Sequence, residues 1–164
     1  MSDEVRRSQP AGPGVPPRSA AGEAFNEVLL RVLSLNGRFT AAGEELARPA
    51  GQSLARWVIL AAVRDEPLSV SDIARRLRLA RQSVQRIADV LVGDGLCGYR
   101  DNPHHQRAKL LEISASGRAA LAQIEAAQHQ WADALGGRIG EDVLRRAAKA
   151  LAAIAEAVPE ADPR

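Results

Sequence analysis

The sequence predicts a mainly α-helical fold with one small β-hairpin, in which short helices form the centre and long helices lie at the two ends. Three observations predict it. Apolar residues recur at three- and four-residue steps through most of residues 23–158, the period of amphipathic helices. Two short segments, 96–100 and 107–113, have instead the length and turn-bounded composition of strands. The chain has 164 residues, the size of one ordinary domain.

The composition places the protein in a broad class. It is 46% hydrophobic and 26% charged, as in soluble globular proteins, and no apolar run approaches the roughly 18 residues that span a bilayer. The first residues lack the apolar core of a secretory signal, so we expect a cytoplasmic protein without a membrane partner. A single cysteine, Cys97, excludes an internal disulfide and a multi-cysteine zinc site, and we expect it to be a buried structural thiol.

The two ends of the chain differ from its middle. Residues 1–20 are rich in proline and glycine and are predicted to be a disordered tail, and residues 159–164 are predicted to be a short tail. A single domain is predicted between them, over residues 21–158. Its first long helix is expected from Glu23 to about residue 47, before Pro49 breaks the pattern. Near the other end, Ser114 caps a predicted helix from Ala115, and a last helix follows from Glu141 after interruptions at Gly136, Gly137 and Gly140.

The centre has the pattern of a helix-turn-helix. A helix from Ser53 to about residue 64 precedes it, and Ser69 with Asp72 then resembles a capping box for a short helix that ends near Leu77. A three-residue turn leads to a second helix, which stops at Gly93. Its apolar side chains face inward and leave a polar face made of Arg81, Gln82, Gln85, Arg86 and Asp89. Amides and guanidinium groups read base edges, and a helix fits the major groove, so DNA binding is predicted, with the hairpin as a wing.

Positive charge is concentrated in the same region. The net charge is only +2, but residues 75–86 contain five arginines and no acid. Residues 72–109 contain eight basic side chains against four acidic ones, a local excess of +4. This asymmetry is compatible with a nucleic-acid partner, although an arginine-rich solvated helix face produces the same pattern.

The long terminal helices carry apolar stripes, and the centre of the chain offers no evident surface against which these stripes could pack. A seam at steps of three and four is typical of helix packing, and a core shared by two copies of the chain explains it economically. We therefore expect a homodimer, with an interface that includes Phe25, Leu29, Val32, Trp131, Leu144, Leu151 and Ile154.

The strings WVILAAVRDEPLSVSDIARRLRLARQSVQRIADVLVGDGL and NPHHQRAKLLEISASGRAAL resemble the MarR family of winged helix-turn-helix transcriptional regulators. The resemblance covers about residues 23–158 and is most specific from Trp57 to Arg118. It implies a winged helix-turn-helix lobe over about residues 53–114 and dimerisation helices over about 22–48 and 115–158. It also implies double-stranded DNA as partner and, in many members, a pocket for a small aromatic or hydrophobic effector.

The resemblance assigns roles to particular positions. The DNA-binding residues would be Ser69, Ser71, Arg81, Gln82, Ser83, Gln85 and Arg86, together with the wing residues His104, His105, Gln106, Arg107 and Lys109. The effector pocket would involve Arg38, Phe39, Arg56 and Trp57, with core packing as the alternative role of the two aromatic side chains.

Two positions depart from the family pattern. Ala80 stands where members often have serine or threonine, at the expected cap of the second helix, and such a hydroxyl stabilises a helix by about 0.5–2 kcal/mol. The wing usually carries Asp-x-Arg, whereas this chain has His105, Gln106 and Arg107. A phosphate raises the pKa of a nearby imidazole, so we hypothesise that DNA affinity rises as the pH falls from about 7.5 to 6. Equal affinity across that interval, for the wild type and for His105→Ala, would contradict this hypothesis.

Other chemistry is disfavoured at these histidines. A metal site needs three or four converging ligands, and no Cys, Asp or Glu lies between Asn102 and Leu111. A catalytic histidine needs a closed pocket, which an exposed wing lacks, so we expect no enzymatic activity, metal or cofactor. The predicted function is a DNA-binding regulator, more often a repressor than an activator, released by a small ligand. The alternatives are a winged-helix protein-interaction module and a DNA-binding protein that responds to no ligand.

Overall fold

The computed structural model describes residues 16–103 and 108–159. In that part of the chain the helices are α1 Ala20–Ala47, α2 Leu54–Ala62, α3 Val70–Leu77, α4 Arg81–Gly93, α5 Ala115–Ile139 and α6 Glu141–Ala157. The strands are β1 Leu68–Ser69, β2 Cys97–Arg100 and β3 Leu110–Ile113, and a single 3-10 turn, Arg48–Ala50, follows α1. The predicted fold class, mainly α with a small β-wing around a helix-turn-helix, is confirmed.

The three strands form one antiparallel sheet in the order β1-β3-β2. Leu68 pairs with Leu111, and Cys97 pairs with Ile113, so β3 lies between the strand before α3 and the strand after α4. The sequence predicted β2 and β3 but not β1, because two residues are too few to show the alternation of a strand. The sheet thereby joins the wing to the start of the helix-turn-helix.

Several boundaries differ from those predicted, three of them by more than two residues. α1 begins at Ala20, before the expected Glu23 and inside the predicted tail, because the Ser19 hydroxyl accepts a hydrogen bond from the Gly22 N–H at 3.1 Å. β3 begins at Leu110 rather than at residue 107. The interruption predicted at Gly136 and Gly137 is wrong, since α5 continues to Ile139 and ends only at Gly140, whose φ is +92°. A glycine inside a helix costs only about 1 kcal/mol relative to alanine, which is too little to end it.

The chain divides into two compact units, residues 1–41 and 42–164. In its described part, from residue 16, the first unit consists of most of α1, and its large apolar side chains are exposed. The second unit contains the end of α1 and all the later elements. In the described ranges, no helix is both long enough and apolar enough to cross a membrane.

The core of the second unit draws on α2, α3, α4, β3 and α5. Its fully buried large side chains are Ile59, Leu60, Val63, Ile73, Val84, Leu91, Leu111, Leu121 and Ile124. Cys97 is buried against this core, and burial raises the pKa of its thiol to about 11, in agreement with the structural role predicted for it. Gly117 permits a close approach of α5, because a Cβ there would lie 2.1 Å from the Leu96 carbonyl oxygen. The core thus fixes α3, α4 and the wing strands in one arrangement.

Candidate nucleic-acid interface

The start of α3 is satisfied within the chain. The Ser69 hydroxyl accepts a hydrogen bond from the Asp72 N–H at 3.2 Å and donates one to the Asp72 carboxylate at 2.6 Å. The same carboxylate pairs with Arg75 at 2.9 Å. The hydrogen bond from Ser69, with help from Arg75, holds the pKa of the Asp72 carboxyl below its ordinary value. Ser69 is 6% exposed, so it serves as the predicted cap, and its hydroxyl is occupied by Asp72.

A tight turn separates α3 from α4. Arg78 has the left-handed conformation, with φ 53° and ψ 41°, although non-glycine residues pay roughly 1–2 kcal/mol for it. The Leu79 N–H donates to the Ala74 carbonyl oxygen at 2.9 Å, which closes the end of α3. The chain can then redirect within two residues, so that α4 begins at Arg81.

The start of α4 is open. Ala80 occupies the N-cap in an extended conformation, with φ −62° and ψ 131°, and offers no side-chain acceptor to the amides of the first turn. The first turn contains no acidic residue, so the positive end of the helix dipole stays uncompensated by the helix itself. Arg81, Gln82, Ser83 and Arg86 are exposed around it. This end of the helix can therefore accept an anion or a nucleic-acid backbone from outside.

The basic side chains on and around the helix-turn-helix and the wing strands fall into two groups. One group is neutralised: Arg76 pairs with Glu66 at 3.6 Å, Arg100 with Glu112 at 3.5 Å and Arg56 with Asp94. In the other group, Arg81, Arg86 and Lys109 are exposed, and within residues 16–103 and 108–159 they form no ion pair. The positive charge that no acid neutralises is thus carried by Arg81 and Arg86 on α4 and by Lys109, just before β3. Arg81 and Lys109 line the same groove beside the open start of α4.

Gln85 connects α4 to the wing. Its amide nitrogen donates to the Asp89 carboxylate and to the Tyr99 hydroxyl oxygen, both at 2.8 Å, and the Tyr99 hydroxyl donates to Asp89 at 2.8 Å. Burial and the hydrogen bond to Asp89 raise the pKa of Tyr99 to about 12. Tyr99 was not among the residues predicted from the sequence. The four-residue spacing of Gln85 and Asp89 indicates that those two can meet on a helix, but the contact with a strand depends on tertiary packing.

A groove of about 300 Å³ lies where α3, α4 and the wing strands meet. It is lined by Ser69, Val70, Ser71, Arg81, Gln85, Tyr99, Ala108 and Lys109. The structure therefore brings together predicted DNA-binding residues from three separate parts of the sequence. Four other predicted wing residues lie outside the described residues, namely His104, His105, Gln106 and Arg107. The hypothesis of pH-dependent DNA affinity rests on these histidines and stays a prediction.

The four residues predicted for an effector pocket are placed differently from one another. Arg38 and Phe39 are exposed residues of the first unit. Arg56 pairs with Asp94. Trp57 packs against the core, as in the alternative prediction, and also lines a cavity of about 570 Å³ in the second unit. Its other lining residues are Leu54, Val58, Ala61, Ala62, Arg64, Asp65, Glu66, Arg76, Leu77, Glu125, Gln128 and His129.

This cavity contains polar side chains that were not predicted from the sequence. Arg64 donates to Glu125 at 2.8 Å across its rim, and His129 lies one helical turn further along α5. The apolar stripe of α5 indicates which of its residues face inward, but no sequence signal indicates which polar neighbours border a cavity between α2 and α5.

The residues predicted for the dimer interface are incompletely covered in the single chain. In the first unit Phe25, Leu29 and Val32 are 49%, 43% and 39% exposed. In the second unit Leu144 and Leu151 are 40% and 46% exposed. Trp131 and Ile154 are half-buried. Among the residues that the structure describes, no group of three or more His, Cys, Asp or Glu side chains is arranged to hold a metal ion.

Comparison with known proteins agrees with this architecture. Residues 50–108, which include the helix-turn-helix, match the model of the MarR family. Uncharacterised proteins of Mycobacterium tuberculosis and Mycobacterium bovis are 42% identical over 93 residues, which is 57% of this chain and 65% of each relative. The match therefore spans less than two thirds of the length of these relatives.

Solved structures share the fold. A MarR family transcription regulator superimposes with a TM-score of 0.76 at 20% identity, over 82% of this chain and 89% of that one. The transcriptional repressor CouR, bound to a 23-mer DNA duplex, gives a TM-score of 0.72 at 23% identity, over 85% of this chain and 99% of that one. The resemblance predicted from the sequence is thus confirmed, and this chain has the winged helix-turn-helix fold of the MarR family of transcription regulators.

Proposed function

We propose that this protein is a non-enzymatic transcriptional regulator of the cytoplasm, most simply a repressor, that binds a pseudo-palindromic DNA operator as a homodimer. One observation carries the proposal. The start of α4 presents uncapped amides and the exposed cations Arg81 and Arg86 on a helix of the length and position of a recognition helix.

The alternative explanation of the arginines is a solvated surface, and the position of Arg81 argues against it, since Arg81 lies at the open start of α4 and lines the groove shared with the wing. On the preceding helix Arg75 is paired with Asp72 and Arg76 with Glu66. Arg81 and Arg86 lack such pairs among the described residues. A polyanion would neutralise them with release of its counterions, which makes the binding strong at low salt and steeply dependent on salt.

The remaining parts of the site suit a duplex that lies across α3, α4 and the wing. Gln82, Gln85 and the two arginines of α4 would face base edges in the major groove. The hydroxyl of Ser71 would meet one phosphate, and Lys109 would meet another. Ser69 would hold the start of α3 in shape rather than contact DNA through its own hydroxyl, since that hydroxyl is bound to Asp72. The complex of the repressor CouR with a DNA duplex supports this use of the fold.

A homodimer accounts for the exposed apolar side chains of α1 and α6. Burying a leucine or phenylalanine completely stabilises a protein by about 1.5–3 kcal/mol, and several here are about half exposed. Leu151→Asp should therefore shift the protein toward monomer in sedimentation experiments and weaken operator binding. Ala153→Asp introduces the same charge on the same helix, away from the seam of Leu144 and Leu151, and should leave the dimer intact.

The cavity beside Trp57 is the candidate effector site. Its volume of about 570 Å³ suits a small molecule. Apolar walls from Leu54, Trp57 and Val58 favour an aromatic or hydrophobic ligand, and Arg64 or His129 could bind a polar substituent. A ligand there would act through a difference in affinity between the DNA-bound and free arrangements of the dimer. Ala61→Phe would fill the cavity, so it should abolish the response to such a ligand while operator binding persists.

Selection of bound sequences from random duplex DNA tests the proposed function directly. We expect enrichment of a pseudo-palindrome whose half-sites lie about one helical turn apart. Affinity for the selected site should fall steeply between low and moderate salt. Recovery of no shared sequence, with weak binding to all duplexes, would contradict the proposal and favour a winged-helix module for protein interactions. A selected site that no small ligand releases would favour constitutive DNA binding.

A further inference from the structure

We propose that the cluster of Gln85, Asp89 and Tyr99 fixes the orientation of the Gln85 amide, so that Gln85 selects an amino base, adenine or cytosine, over a keto base at one operator position. The inference rests on the proposed DNA binding and deepens it, because it assigns a base preference to one residue of the site.

The orientation of the amide follows from its partners. A carboxylate can only accept hydrogen bonds, so the group of Gln85 that lies 2.8 Å from the Asp89 oxygen must be the amide nitrogen. The opposite orientation would bring two acceptor oxygens together. The Asp89 carboxylate and the Tyr99 hydroxyl therefore determine which atom of the Gln85 amide is the nitrogen and which is the oxygen. In a glutamine without such partners this assignment is open.

The same nitrogen faces both partners. It lies 2.8 Å from the Asp89 oxygen and 2.8 Å from the Tyr99 oxygen, so both of its hydrogen bonds stay within the chain. Tyr99 can accept because its own hydrogen is donated to Asp89. Burial and Asp89 raise the pKa of Tyr99 to about 12, so the hydroxyl keeps its proton at neutral pH. Within the described part of the chain, the side-chain hydrogen bonds of Gln85 involve only its nitrogen, and the carbonyl oxygen is left to meet a partner from outside.

This arrangement changes how Gln85 reads DNA. A free glutamine can both donate to N7 and accept from the amino group of adenine, which makes it specific for that base. With its nitrogen held by Asp89 and Tyr99, the Gln85 amide has only its carbonyl oxygen left for a base, and it can only accept. In the major groove the amino groups of adenine and cytosine are donors, whereas guanine and thymine present acceptor oxygens. A fixed acceptor thus distinguishes adenine or cytosine from guanine or thymine on the strand that it faces, without distinguishing adenine from cytosine.

The position of Gln85 supports a role at the interface. It lies on the same face of α4 as Arg81, one helical turn from the open start, and both line the groove between α3, α4 and the wing. Gln82, which is exposed and lies in the first turn, makes no such bond to Asp89 or Tyr99. It therefore provides a matched control of the same residue type on the same helix.

The test is selection from random duplex DNA with the full-length dimer, for the wild type, Gln85→Ala, Gln82→Ala and the double variant Asp89→Ala/Tyr99→Phe. In the wild type we expect one position in each half-site at which adenine and cytosine are favoured about tenfold over guanine and thymine. Gln85→Ala should lose that preference. Gln82→Ala removes a different predicted base contact, so it should change the preference at another position and keep the preference at this one. The double variant frees the amide, so adenine should become favoured over cytosine at that position.

Several outcomes would overturn the inference. They are an unchanged selected sequence in Gln85→Ala, a preference for guanine or thymine at the position that depends on Gln85, or a double variant with the base preference of the wild type. Tyr99→Phe alone keeps the ring and removes only one of the two acceptors of the Gln85 nitrogen, so an intermediate preference is expected even if the double variant is unstable. Failure of the wild type to select any sequence would be a different result, since it overturns the proposed function and the inference with it.

Discussion

The two helices of the helix-turn-helix begin in contrasting ways. At α3 the hydroxyl of Ser69 satisfies the amide of Asp72, the third residue of the helix, and the Asp72 carboxylate is paired in turn with Arg75. At α4 the cap is Ala80, so the equivalent amide, that of Ser83, meets no capping side chain. One helix completes its hydrogen bonds and charges within the chain, and the other leaves them for a partner.

The contrast indicates a functional site, because the start of α4 lacks a stabilising cap that the sequence could have provided. A serine or threonine at position 80 would stabilise α4 at no evident steric cost, since Ala80 is exposed and already extended. Open amides and unpaired arginines instead give this end of α4 a positive field. In a protein with the fold of DNA-binding regulators, phosphate and base edges are the partners that such an end fits best.

The largest expected effect comes from removing the exposed cations of α4. Arg81→Ala/Arg86→Ala should weaken operator binding by at least about 30-fold, because each arginine that binds DNA contributes about 1–3 kcal/mol. The slope of log affinity against log salt should also become shallower, by about one for each phosphate that the variant no longer neutralises. Equilibrium binding to one duplex at several salt concentrations measures both quantities.

Arg75→Ala/Arg76→Ala is the matched control, since it removes the same charge from the paired arginines of α3. Because both side chains already have acidic partners, we expect its affinity to change less than tenfold. Equal losses of affinity in the two double variants would mean that net charge alone governs binding and that the contrast between the helices is irrelevant.

A smaller effect should follow from exchanging the caps. Ala80→Ser should raise the free energy of unfolding by about 0.5–2 kcal/mol, and Ser69→Ala should lower it by a similar amount. Urea unfolding at one fixed protein concentration would measure both changes. Ser83→Ala lies in the same turn of α4 without capping it, and its effect should stay within about 0.5 kcal/mol. A neutral Ala80→Ser would indicate that the start of α4 is already satisfied in the free protein.

The smallest expected effect concerns Tyr99, the β2 residue to which Gln85 and Asp89 of the α4 face are hydrogen-bonded. Tyr99 is the only tyrosine, so the tyrosinate absorbance reports it alone. Its pKa is raised from 10.0 to about 12, and the stability it contributes is present below pH 10.0 and lost as the pH rises through about 12. Asp89→Ala removes its acceptor and should lower this pKa, whereas Asp101→Ala, just past the end of β2 and not among the groups that shift the Tyr99 pKa, should not. If Tyr99 titrates identically in the wild type and in Asp89→Ala, the hydrogen bond between Tyr99 and Asp89 is contradicted.

Much of this site could be predicted from local sequence. The spacing of Ser69 and Asp72 indicated the cap of α3, and the turn after Leu77 placed Ala80 at the cap of α4, because both signals act within one helical turn. The cluster around Tyr99 and the strand Leu68–Ser69 could not be predicted, since both depend on the register in which the wing packs against distant residues. The wing contacts of His105 and Arg107 remain predictions.

The central claim is that the start of α4, unlike that of α3, is completed by DNA. Amide hydrogen exchange at Ser83 and Asp72, the third residues of the two helices, tests it most directly, with the free protein compared to the protein bound to its selected operator. We predict that the Ser83 amide exchanges rapidly in the free protein and is strongly slowed by DNA, while the Asp72 amide is already protected and changes little. Equal protection of both amides before DNA is added, with no further slowing at Ser83, would contradict the account.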